Sequence, residues 1–148
     1  MPIAATDENG LLPPGVHACK LQEIERRFGR FRSTDQRTGL FRRLRRYLEE
    51  AKGTGLIKAV VINGSFVTDI DFPNDIDMFI VVADDYDFRA DVRPFQFNML
   101  SNRRVRRRFG FDVLVARDNS TEYAEYIAFY QQVRGRPELT KGILRVEL

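Results

Sequence analysis

A chain of 148 residues with 43% hydrophobic and 30% charged residues is long enough for one buried core and too short for two ordinary domains. Its longest apolar run, Met78 to Ala83, is far short of a membrane span, and the opening residues lack the basic start and apolar stretch of a secretory signal, so a cytoplasmic protein without a membrane segment is expected. A single cysteine, Cys19, excludes an internal disulfide, and a single histidine, His17, argues against a zinc site of the usual ligand types.

In chain order, Gly10, Pro13, Pro14 and Gly15 block regular structure and predict an irregular arm over residues 1–19, with one domain over 20–148. Lys20 to Phe28 carries Leu21, Ile24 and Phe28 at helical spacing and ends at Gly29, with Phe31 expected to follow into the core. Thr34 to Lys52 is the clearest helix: Leu40, Leu44, Tyr47, Leu48 and Ala51 form one apolar stripe, Ser33 or Thr34 can cap its start, and Gly53 follows. Lys58 to Ile62 and Ile76 to Ala83 read as apolar strands joined through residues 66–74, and Asp84-Asp85-Tyr86-Asp87 as a solvated loop. Pro94 opens a helix to about Arg108 with Phe95, Met99 and Val105 inward, and Gly110 ends it. Phe111 to Ala116 reads as a buried strand whose only charge is Asp112, a helix runs from Ser120 or Thr121 to about Val133, and Gly142 to Leu148 forms a last strand. The order predicts an α/β (α+β) domain, a small mixed sheet with helices packed on it.

Chemistry concentrates between the first two predicted strands. Strand side chains alternate, so Asp75 and Asp77 point the same way while Ile76 points to the other side. Two carboxylates held together repel when ionised, so they share a proton or a cation, and paired hard oxygens suit Mg²⁺ or Mn²⁺. Gly64 lacks a Cβ that would keep a phosphate at a distance, and Ser65 adds an N–H and a hydroxyl at the same point. A solvated, Asp-rich turn is the plainer alternative. Charge is uneven despite a net of only +3: residues 69–91 hold eight Asp against one Arg, whereas Arg42-Arg43-x-Arg45-Arg46 and Arg103-Arg104-x-Arg106-Arg107-Arg108 are positive blocks. Beside an acidic metal seat those blocks suit a nucleoside triphosphate or a nucleic acid such as RNA, could also attach a protein partner, or are ordinary solvated helix faces.

Gly64-Ser65, nine intervening residues, and Asp75-Ile76-Asp77 before an apolar strand resemble the signature of the DNA polymerase beta type nucleotidyltransferase superfamily, minimal bacterial members included. More narrowly, the chain resembles a family of small nucleotidyltransferase-fold proteins of bacteria and their mobile elements. The matching pieces are residues 12–17, 64–68 and 73–77, Phe111-Asp112-Val113, and Lys141-Gly142-Ile143, which together span nearly the whole chain. The resemblance implies a nucleotidyltransferase fold and transfer of a nucleoside monophosphate from a nucleoside triphosphate to a hydroxyl acceptor. It implies that Asp75, Asp77 and Asp112 hold Mg²⁺, with Asp112 also deprotonating the acceptor, and that Gly64 and Ser65 grip β- or γ-phosphate. Lys141 or an Arg from the basic blocks would then meet the triphosphate. The acceptor, whether protein, RNA or small molecule, stays open, as does a plainer role for Asp112 as an ion-pair partner of an Arg on the preceding helix. The alternative function is an inactive binding or regulatory module for RNA or a protein, and the company such families keep suggests a toxin–antitoxin or phage-defence pair.

Overall fold

The computed structural model describes residues 3–148. Five strands, β1 (Gly15–Ala18), β2 (Ile57–Asn63), β3 (Asp77–Val82), β4 (Asp112–Arg117) and β5 (Gly142–Glu147), build one mixed sheet in the order β1-β5-β2-β3-β4. The central strands β2 and β3 pair antiparallel, β5 runs antiparallel to β2, and the edge strands β1 and β4 lie parallel to their neighbours. Five helices pack on it: α1 (Leu21–Phe28), α2 (Gln36–Gly53), α3 (Pro94–Leu100), α4 (Asn102–Phe109) and α5 (Thr121–Tyr130).

The central strands read as unbroken apolar runs because helices cover both sides of the sheet. On one face Val60, Ile62, Met78, Ile80 and Val82 join the core formed with Ile24, Leu44, Tyr47, Leu48 and Val105 of the helices. On the other, Ala59, Val61, Phe79 and Val81 lie under α5, with the Phe79 ring 5.4–5.6 Å from those of Tyr123, Tyr126 and Tyr130. The predicted α2 stripe is buried along its whole length. Among the described residues no helix is long and apolar enough to cross a membrane.

Four expectations fail for identifiable reasons. Residues 1–19 are not all an irregular arm: Gly15–Ala18 pair with β5 and Leu12 is fully buried, while Met1 and Pro2 lie outside the described residues. The pairing depends on Gly142, where a Cβ would collide with the Pro13 carbonyl and the His17 ring. Phe31 is 69% exposed, because the chain turns away after Gly29. The helix predicted from Pro94 is two helices, since Ser101 leaves helical geometry and its hydroxyl caps α4 by accepting from the Arg104 N–H, and Phe95 is exposed rather than inward. Asp112 is exposed at the mouth of β4 rather than inside a buried strand. Gly110 ends α4 as expected, in the left-handed region at φ 79°.

Candidate functional site

The site grows from the end of β2. Gly64 adopts φ 105°, and a Cβ there would come within 2.7 Å of the Asp75 carbonyl oxygen and 3.1 Å of the Asp77 nitrogen. The glycine is therefore required for close packing of two chain segments, and it brings the turn directly against the acidic stretch. Ser65 then folds the acid in place. Its N–H donates to Asp75 Oδ1 at 2.9 Å, its hydroxyl donates to the same oxygen, and its Oγ accepts from the N–H groups of Asn74 at 2.9 Å and Asp75 at 3.2 Å. The two Ser65 donors assigned from sequence to a phosphate are engaged by Asp75.

Behind this turn stands Arg37, which is only 2% exposed. It donates to the carbonyls of Phe28, Phe66, Thr68 and Ile70, so one helix side chain fixes the path of the chain from Ser65 toward Asp75.

Asp77 opens β3 and is the register partner of Asn63 on β2 and of Asp112 on β4. Residues opposite one another on neighbouring strands share a face about 4.8 Å apart, so Asn63, Asp77 and Asp112 form a row across the sheet on the α5 side. Lys141, immediately before β5, is half-buried within electrostatic reach of Asp75 and Asp77. The structure thus brings Gly64, Ser65, Asp75, Asp77, Asp112 and Lys141 to one end of the sheet. Of the block Arg42–Arg46, Arg43 donates to the Phe109 carbonyl at 3.2 Å and lies over Phe111, the residue before Asp112, while the Arg45 guanidinium lies over Phe41 and Arg46 reaches Glu50.

A model of a family of unknown function, DUF6932, matches residues 4–147. The chain belongs to this family. Searches of the curated proteins and of the solved structures found no match. The family's description names no reaction, so the chemistry must be argued from the side chains, all of which fall inside the matched span.

Their electrostatics separate the two paired acids. Desolvation works to raise Asp75, but the hydrogen bonds from the Ser65 hydroxyl and N–H and the Lys141 charge outweigh it and hold this carboxyl below its ordinary range. Asp77 moves the other way, raised by burial and then by the negative charges of Asp75 and Asp112, with Lys141 only partly offsetting them. Burial lowers the Lys141 pKa against the opposing pull of both acids. Asp75 therefore ionises more readily and Asp77 less readily than a free aspartate, and a divalent cation beside them would relieve the repulsion that raises Asp77.

Two contributors carried no sequence signal of their own, whereas the Arg106–Asp112 pair is the helix-arginine contact that the sequence left open. The Asn63 side chain is buried, and its Oδ1 has no hydrogen-bond partner among the described residues although it stands beside Asp77 in register. Tyr130, at the end of α5, has its hydroxyl pKa raised by burial and by the charges of Asp77 and Asp112. Arg106 pairs with Asp112 at 3.1 Å. That pair decides the fit to a metal ion. Asp75 and Asp77, with an unsatisfied amide oxygen beside them, suit a hard cation, but among the described residues no group of three or more His, Cys, Asp or Glu is arranged to hold one. Asp112 is in register and turned to an arginine.

Proposed function

We propose that this chain is a nucleotidyltransferase-like enzyme that moves a nucleoside monophosphate from a nucleoside triphosphate to a hydroxyl acceptor, on a nucleotidyltransferase fold. The observation that carries the reading is the convergence of the Ser65-held Asp75, the raised Asp77 and the register-matched Asp112 at one end of the sheet. In the proposed reaction the acceptor oxygen forms a bond to the α-phosphorus, the bond from that phosphorus to the β-bridging oxygen breaks, and pyrophosphate leaves. Bound Mg²⁺ or Mn²⁺ would supply positive charge at the attacking and leaving oxygens. Asp75 and Asp77 would hold it, with Ser65 keeping Asp75 in a fixed rotamer. Lys141 would meet the triphosphate with its ammonium, and Asp112 would take the acceptor's hydroxyl proton when it is not paired with Arg106.

A second reading is favoured by the Arg106–Asp112 pair itself: a binding module of the same fold without turnover. The two are separated by incubating the protein with α-labelled nucleoside triphosphates, Mg²⁺ and a cell extract as acceptor source, with Asp77→Asn as control. Label covalently attached by the parent and not by the variant supports transfer. Labelling by neither, across all four nucleotides, removes the enzymatic reading and leaves the module.

A further inference from the structure

The break at Ser101 puts five arginines on a helix of eight residues. Val105 and Phe109 are buried, and going round the helix from that seam at about 100° per residue gives Arg106, Arg103, Arg107, Arg104 and Arg108 as one continuous band. These arginines are not equivalent. Arg106 pairs with Asp112 and Arg108 with Glu50 at 2.7 Å, whereas Arg103 and Arg107 have no acidic partner among the described residues. Arg104 is held out from the helix by Asn98 Oδ1 at 2.8 Å and lies 5.2 Å from the centre of the Phe97 ring. Arg103, Arg104, Arg107, Arg108 and Asn98 line a hollow of about 520 Å³ with no acid in its wall.

Beside the hollow, α3 exposes the Phe97 ring, over which the Arg104 guanidinium lies. A solvated helix face has no need of either feature: exposed rings cost apolar hydration, and adjacent guanidinium groups without counter-charges repel one another. Both are relieved by a ligand that carries phosphates in series and offers unpaired bases for stacking. We infer that the α3–α4 surface binds single-stranded nucleic acid, phosphates on Arg103, Arg104 and Arg107 and a base against Phe97. Arg106, on the same helix, touches Asp112, so the bound strand lies along the border of the candidate site. This rests on the proposed function only in making the strand the hydroxyl acceptor.

The experiment is fluorescence anisotropy of the full chain with a labelled 12-nucleotide single-stranded RNA, its DNA counterpart and the duplex, across a salt series and without nucleoside triphosphate. The single strands are expected to bind with marked salt dependence, the RNA and DNA arms showing which sugar is preferred. The double variant Arg103→Ala/Arg107→Ala should melt as the parent does and lower the slope of log K against log salt by about 1.4, from about 0.7 per phosphate contact. Phe97→Ala should weaken single-strand binding without changing the slope. The variant Arg30→Ala/Arg134→Ala removes the same charge from exposed arginines that also have no acidic partner, and should leave the slope unchanged. Absence of salt-sensitive binding, an equal slope change in both double variants, or duplex binding as tight as single-strand binding would each overturn the inference. Binding without transfer would remove only the proposed enzyme, and transfer to another acceptor without binding would remove only this surface.

Discussion

Gly64→Ala tests what the glycine beside the acids is for. At φ 105° and ψ 177° its backbone lies in a region that is essentially glycine's alone, which costs a side-chain-bearing residue about 1–3 kcal/mol. The new Cβ would also sit 2.7 Å from the Asp75 carbonyl oxygen, a backbone atom that cannot swing aside, and crowding of this kind costs about 1–3 kcal/mol more. Together these give about 2–6 kcal/mol, or a fall in Tm of about 4–24 °C at about 2–4 °C per kcal/mol for a chain of this size. The assay is a thermal melt against the parent and against Gly53→Ala, where a Cβ meets nothing within 4 Å at the end of α2 and the change should be neutral or slightly stabilising. If Gly64 served only to admit a phosphate, Gly64→Ala would melt as the parent does and lose nucleotide binding alone. A Tm within about 2 °C of the parent would refute the packing argument.

Arg37→Met should destabilise by about 2–6 kcal/mol, since it orphans at least the buried carbonyls of Phe28 and Phe66 at about 1–3 kcal/mol each; denaturant titration measures it, and a loss under 1 kcal/mol would contradict the clamp. Asp77 has its folded pKa raised, so the penalty for ionising it is absent below the unfolded value near 3.9 and grows as pH rises through the folded value. Asp77→Asn should therefore raise Tm at pH 7 and not at pH 3, and a gain of the same size at both would sink the like-charge account. Asp112→Asn removes an ion pair whose side chains are 67% and 52% exposed, worth about 0–1 kcal/mol, so its melting curve should nearly overlay the parent's; a loss above 2 kcal/mol would show a structural role for Asp112.

Much of the fold was legible because it rests on periodicity. The α2 stripe, the apolar runs of β2 and β3 and the Gly110 stop each follow from local pattern, and all appear within a residue or two of where the pattern puts them. Non-local partners were not legible. β1 is four residues whose place is set by a register with β5 at the far end of the chain, and no local pattern announces a strand after two prolines and a glycine. The same limit applied to the site. The Asp75–Asp77 spacing declared a shared face, but Asn63 and Tyr130 enter through strand register and a helix crossing overhead, and Arg37 through four carbonyls distributed over 43 residues. Ser65 shows a subtler difference: the residue type was informative, while the partner its donors actually take, Asp75, depended on the loop folding back.

The candidate site consequently has a fixed half and a movable half. Asp75 is tied by Ser65, and Ser65 by the N–H groups of Asn74 and Asp75, so shifting this acid means breaking several hydrogen bonds in a turn that Arg37 anchors from behind. Asp112 is tied by a single exposed arginine. Breaking a buried pair would cost about 3–5 kcal/mol, but this one costs about 0–1 kcal/mol, which corresponds to a population factor of about five at most. The Arg106–Asp112 contact is thus a weak obstacle to the proposed chemistry, since releasing Asp112 from the arginine takes little free energy. Arg106 belongs to the same helix as the unpaired Arg103 and Arg107, so a polyanion seated on that helix competes with Asp112 for the guanidinium. What engages α4 and what Asp112 can do are then physically coupled, and the coupling runs through one side chain.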